Sequence, residues 1–159
     1  MATESKALPR AKEFKFRLEI NGFPVALVES FNPGKETIGI TEAYGAGMNH
    51  SYKEAGMLTF ANATLTNTVP LEGPGRRYWQ DWMTQVQNAK TGNGGNPEDY
   101  MRDFSMYEND SNGTPFRVTE FKSGFIVDYD VGDKSAGATD KNVIESVEIA
   151  YQEREVRYL

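Results

Sequence analysis

Phe14-Lys15-Phe16-Arg17-Leu18-Glu19-Ile20-Asn21-Gly22-Phe23-Pro24-Val25-Ala26-Leu27-Val28-Glu29-Ser30-Phe31 decides the fold class. Phe14, Phe16, Leu18 and Ile20 alternate with Lys15, Arg17 and Glu19, the period-two pattern of a strand greasy on one face and charged on the other. Asn-Gly readily takes the positive φ of a two-residue type I′ turn, so the run Phe23 to Phe31 is expected to fold back antiparallel on the first. Pro24 belongs near a strand start or an edge.

The same period recurs downstream. Gly56 to Asn67 reads as one strand, as do Tyr100 to Tyr107, Phe116 to Phe121, and Gly124 to Val131. A last strand runs from Asn142 to Gln152, with Val143, Val147, Ile149 and Tyr151 on one face. Beyond it the phase flips, so that Arg154, Val156 and Tyr158 share a face. A one-residue slip of this kind marks a bulge, or a chain leaving its own sheet to meet a neighbour.

Between the strands lie two other features. Residues 32–55 are broken by Pro33, Gly34, Gly39, Gly45 and Gly47 and dotted with Ile38, Ile40, Tyr44, Met48 and Tyr52, and read as a long loop. Loops of that length in a small domain are commonly functional or in contact with something else. Residues 75–90 read as the single helix: Tyr78, Trp79, Trp82, Met83 and Val86 build one apolar stripe, leaving Arg77, Gln80, Asp81, Thr84 and Gln85 outside. Pro74 and Gly75 open it, and Lys90 and the Gly-rich stretch Thr91 to Pro97 end it.

Composition excludes much chemistry. The 159 residues make one domain, mainly β with one α-helix, and residues 1–12 read as a flexible arm. There is no cysteine, so disulfides, thiolate zinc sites and a cysteine nucleophile are absent. His50 is the sole histidine and lies in a Gly-rich stretch with no nucleophile elbow, so no triad is expected. Asp128, Asp130 and Asp133 misplace the glycine and lack the final glutamate of a calcium loop. Arg76 and Arg77 stand at the expected helix start without the Lys-Ser/Thr of a phosphate loop. No catalytic, metal or cofactor residue is assigned. A net charge of −6 disfavours capture of polyanions such as DNA, and the absence of signal-like or spanning segments reads as a soluble protein.

The order of hairpin, Gly-punctuated loop, strand Leu58 to Thr66, helix Arg76 to Asn88 and closing Val143-Ile-Glu-Ser-Val-Glu-Ile-Ala-Tyr151 resembles the tail tube protein family of contractile-tailed bacteriophages. The inner-tube proteins of contractile injection systems and the Hcp proteins of type VI secretion share that fold. The resemblance spans nearly the whole chain and rests on order and pattern, with no catalytic motif. It implies an antiparallel β-sandwich or barrel subunit that forms hexameric rings around a ring-closed β-barrel, stacked as a tube inside a sheath, with tape-measure protein and baseplate as further partners. It places the chain in a virion made in the host cytoplasm, where DNA passes through without specific binding and no membrane is engaged.

The resemblance also implies roles. Ile38, Ile40, Tyr44, Met48 and Tyr52 become inter-ring or inter-subunit contacts; Tyr78, Trp79, Trp82, Met83 and Val86 pack the helix on the barrel; Gln80, Asp81 and Thr84 turn toward the sheath. Lys15, Arg17 and Glu19 become candidates for the lumen, with the C-terminal strand expected to partner the opening hairpin in one sheet. An Hcp-like tube carrying protein effectors is the alternative, and a carbohydrate-binding β-sandwich a more remote one.

Overall fold

The computed structural model describes residues 15–21, 23–25, 28–68, 77–88, 90–132, 134–137 and 143–159; the expected N-terminal arm 1–12 and the helix-opening Pro74 and Gly75 lie outside them. The opening strand β1 (Phe16–Ile20) buries Leu18 and Ile20 as its alternation requires. Asn21 takes φ 53°, and β2 (Phe23–Pro24) returns with Ile20 opposite Phe23. The hairpin stops there, two residue pairs long, and does not continue to Phe31. Instead β3 (Val28–Asn32) enters a second layer.

Residues 32–55 are not a loop. Among the described residues, strands β4 (Glu36–Ala43) and β5 (Tyr52–Phe60) pair only with each other and form a hairpin arm outside the main sheet. The expected strand 56–67 is therefore two strands, because the chain breaks at Ala61 and Asn62 before β6 (Ala63–Thr68) pairs with β3 in the body. Helix α1 (Tyr78–Val86) follows, shorter than 75–90: Gln87 is extended and its N–H closes the last turn on the Met83 carbonyl. The Gly-rich stretch folds back on the helix end, with Gly95 N–H donating to the Val86 carbonyl and Lys90 and Thr91 amides to Asn88 Oδ1. A one-turn helix α2 (Pro97–Tyr100), unforeseen in the sequence, starts on Pro97 and offers the Tyr100 carbonyl to Trp82 Nε1 at 2.7 Å.

Strand β7 (Arg102–Asn109) leads into β8 (Pro115–Asp130), one strand of 16 residues where two were expected. β9 (Ile144–Ala150) and β10 (Glu153–Tyr158) then lie along one edge of β8 in nearly continuous register, Ala150 opposite Phe125 and Glu153 opposite Lys122. The phase flip after Gln152 is the interruption between them, opposite Ser123 and Gly124. Thus β8 belongs to two layers: β2-β1-β7-β8-β10 and β8-β9-β6-β3. The C-terminal strand and the opening hairpin sit at opposite edges of the first layer and do not pair within the chain.

The core lies between the layers. Phe104 and Phe121 stack at 4.4 Å between centroids, and Phe31 from the second layer and Tyr151 from the crease meet both rings edge-on. Such pairs add to the area they bury. Glu145, 4% exposed, accepts hydrogen bonds from Asn67 Nδ2 (2.7 Å) and the Tyr129 hydroxyl (2.6 Å). Burial, and then the Glu145 carboxylate, pushes the Tyr129 hydroxyl pKa above its ordinary value of 10.0.

Two outcomes follow. Phe121→Ala removes a fully buried ring and should lower stability by about 3–5 kcal/mol in denaturant melts. As pH rises past 10.0, unfolded chains lose the Tyr129 proton while folded chains keep it, so stability falls with pH there. In Tyr129→Phe that alkaline fall, followed by melting temperature against pH, should be shallower.

Candidate assembly surfaces

Cross-strand partners point to the same side of a sheet, so the registers of the first layer define rows. Leu18, Met106, Thr119 and Val156 form one row, and Ile20, Phe104, Phe121 and Arg154 the next, both facing the core. The intervening rows face away. One is Arg17, Tyr107, Val118 and Arg157; the other is Glu19, Ser105, Glu120 and Glu155. Arg17 reaches Glu19 at 3.5 Å and stacks over the Tyr107 ring at 4.3 Å, and Arg157 bonds Glu120 at 2.8 Å. Lys122 pairs with Asp103 at 3.7 Å. The outward face is thus charged, with Arg17, Lys122 and Arg157 each paired to a carboxylate. Lys15, Arg17 and Glu19 belong to it, and the five further charges of β7, β8 and β10 named here were not picked out in the sequence because their strands' pairing was unknown.

This layer has two open sides. Among the described residues β10 pairs with β8 alone, and β1 meets β2 over two residue pairs, with the Val25 amide also donating to the Leu18 carbonyl. Unpaired edges are templates for another strand.

The arm is a second surface. Ile38 pairs with Leu58 and Ile40 with Ala55, so an apolar strip runs along one face, interrupted by a bulge. Ile38, Ile40 and Met57 are 61%, 67% and 79% exposed, and Tyr44, Met48 and Tyr52 are exposed around the tip. All five residues expected to make contacts therefore stand together on one projection. Met57 and Leu58 join them; the sequence reading had assigned Leu58 to a body strand, and only pairing with β4 reveals it. Neighbouring Tyr44 donates to Glu42 at 2.7 Å, and His50 sits exposed at the tip.

On α1, Trp79 and Trp82 are buried and Tyr78, Met83 and Val86 pack partly against the core, while Gln80, Asp81 and Thr84 are exposed. Arg102 lies over both Tyr78 and Trp82 at about 5 Å and bonds Gln85. Arg77 pairs with Asp81 at 3.6 Å, and Arg76 falls outside the described residues.

A groove of about 390 Å³ on the second layer's outer face is lined by Ser30, Thr64, Thr66, Asp128, Asp130 and Glu148 among others. Among the described residues no three His, Cys, Asp or Glu side chains group as a metal site, and no helix is long and apolar enough to cross a membrane.

Edges open on both sides of a layer, a compensated outer face and a projecting apolar arm are features of a piece made to join copies of itself. Residues 12–155 match the family model of the T4-like virus tail tube protein gp19. The chain belongs to that tail tube family. Its fold is similar to a cryo-EM structure of the anti-feeding prophage cap that terminates the tube, with TM-score 0.80, 13% identity, and 99% of this chain and 97% of that one covered. It is also similar to a chain of an extracellular contractile injection system, the PVC sheath–tube complex in the extended state, with TM-score 0.74, 14% identity and 94% and 93% covered. Hcp1 of Flavobacterium johnsoniae shares it more loosely, with TM-score 0.52, 10% identity and 90% and 94% covered. A search of curated proteins finds no match. The tail tube chain is a structural tube subunit.

Because the arm is exposed all along both strands, Ile38→Asp and Leu58→Asp should each move the monomer's stability by no more than about 0.5 kcal/mol in urea melts. A loss of several kcal/mol would mean that the strip is packed within the subunit.

Proposed function

We propose that this tail tube protein builds the inner tube of a contractile phage tail, as hexameric rings stacked inside a sheath on a baseplate and around a tape-measure protein, and conducts the genome. The observation that carries this reading is the first layer, open at both edges and compensated on its outer face. Joining β10 of one copy to the β1–β2 edge of the next removes both edges of the first layer at once and closes a barrel of repeated layers. The compensated face then becomes the lumen wall, lined by Lys15, Arg17, Glu19 and the rows that continue them.

Such a wall suits a conduit. Arginines already paired with Glu19 and Glu120 release few counterions to a phosphate backbone, so DNA is not held. The arm, with its apolar strip, meets another copy within or between rings. The exposed Gln80, Asp81 and Thr84 of α1 face the sheath. The tail tube subunit acts by shape and self-association and has no enzymatic role; its single imidazole lies on the arm tip. It is a component of the virion, assembled from subunits made in the host.

A second reading is an inner tube of an injection system that carries protein, favoured by the likeness of fold to the anti-feeding prophage and PVC chains. Content of assembled particles, nuclease-sensitive DNA or protein, decides between them.

The chain has no cysteine, so introduced pairs report cleanly. Arg17 and Arg157 stand in one row at opposite edges of the layer, and Arg17 lies beyond the two β1 residues that β2 pairs with. The double variant Arg17→Cys with Arg157→Cys, oxidised under assembling conditions, should give a ladder of linked species up to six, and negative-stain images should show hollow rings or tubes. A chain that stays a compact monomer at every concentration and salt would defeat the proposal.

A further inference from the structure

The turn that leads from the body into the arm is gripped by the strand that bounds the first layer. The Tyr151 hydroxyl donates to the Pro33 carbonyl at 2.9 Å. Arg154 Nη1 donates to the Gly34 carbonyl at 2.7 Å, and its Nε lies 3.2 Å from Glu36 Oε1. The Arg154 side chain is only 16% exposed. The other leg is held from the same place: the Phe60 ring packs on Tyr151 at 5.6 Å, and the Ala61 amide donates to the Lys35 carbonyl at 3.0 Å. Gly34 takes φ 78°, and a Cβ there would stand 2.4 Å from the Ala61 carbonyl oxygen. The two legs meet backbone to backbone, which only glycine permits.

We propose that Arg154 is a positioning residue for assembly: it fixes the direction in which the arm leaves the body, and so determines where the arm meets a second copy of this chain. This rests on reading the arm as the inter-subunit element. A two-stranded hairpin has no core of its own to keep its aim. Its eight-residue strand reaches roughly 26 Å at about 3.3 Å per residue, so a swing of ~10° at the root shifts the tip by about 5 Å. A shift of that size breaks side-chain packing at an interface. One guanidinium holds the Gly34 carbonyl by a charge-assisted hydrogen bond and the Glu36 carboxylate by an ion pair at 3.2 Å, and the two together suppress that swing where a lysine ammonium cannot reach both with the same geometry.

The position of Arg154 adds a second consequence. It lies on β10, whose far edge is open, and the interruption at Tyr151 and Gln152 sets it on the core-facing side beneath the arm root. Pairing of β10 with a neighbour stiffens the same strand that aims the arm, so ring closure prepares the subunit for the contact the arm makes next.

The experiment places spin labels at Asn49→Cys on the arm tip and Lys90→Cys on the body, both exposed, in a chain with no other cysteine. Pulsed dipolar distances are measured on dilute protein. The parent should give one narrow distribution. Arg154→Met keeps the stem and loses the donors, and should broaden it at least twofold, with Arg154→Lys between the two and the melting temperature little changed. Under assembling conditions Arg154→Met should cut tube yield in micrographs about tenfold. If Arg154→Met does not fold, Glu36→Gln, changed at the more exposed partner, should still broaden the distribution. An unchanged distribution in the folded variants overturns the positioning role. A broadened distribution with normal tubes leaves the arm aimed by Arg154 but defeats the arm as an assembly element.

Discussion

The fold depends on the crease in β8. At Ser123 the chain takes φ 54°, with its amide held by Asp103 Oδ1 at 3.0 Å, and at Gly124 a Cβ would stand 2.7 Å from the Phe104 ring. A side chain at 124 would push apart the Phe104–Phe121 stack, which is the centre of the core. Because the bend falls there, one strand serves both layers, β7 and β10 flank its first half, and β9 pairs with its second. Without it the two halves would form one flat sheet with no interior. Tyr151, in the matching interruption of the partner strand, fills the crease and reaches on to the arm root.

That dependence explains what was legible in the sequence. Features decided within a few residues came through: the alternation of Phe16, Leu18 and Ile20, the positive φ of Asn21 and the Trp79/Trp82 stripe. Pairing came through poorly, because it is settled between residues far apart in the chain. Nothing near Val28 says that its partner is Asn67 and not Lys15, the residue a continued hairpin would set opposite it. The crease also hides continuity, since the reversal of φ at Ser123 shifts the side-chain phase and made β8 read as two strands. The arm was missed for a different reason. Beyond Phe60 at its root it buries little in the subunit, so selection for a greasy face does not mark it, and Gly39 with Gly56 at the bulge gives it the look of a loop. Its exposed Ile38, Ile40, Tyr44, Met48 and Tyr52 stood out all the same, because apolar and aromatic residues among glycines are conspicuous without a core to fill.

The three surfaces divide the work of a self-assembling subunit by their chemistry. Open edges offer backbone hydrogen bonds, which fix orientation without reading side chains. The arm offers apolar area, which supplies affinity but little direction. The outer face of the first layer offers paired charges, which attract neither copies nor polyanions strongly. A net charge of −6 spread over the remaining surface adds weak mutual repulsion that salt screens.

A subunit that exposes strand edges and an apolar strip must still remain dispersed before it assembles. The arm shows how this is managed. Its strands carry a bulge, two glycines and the charges Glu36, Glu42, Lys53 and Glu54, all of which blunt indiscriminate pairing along a hairpin edge. β10 is short and alternates Glu153, Glu155 and Arg157 on one face with Arg154, Val156 and Tyr158 on the other. A chance partner that pairs with its backbone must therefore also match a charged row, which the β1 edge, with Arg17 and Glu19, can do in one register. In the proposed ring, edge chemistry and row chemistry together make correct closure cheaper than aggregation, because a partner must match both.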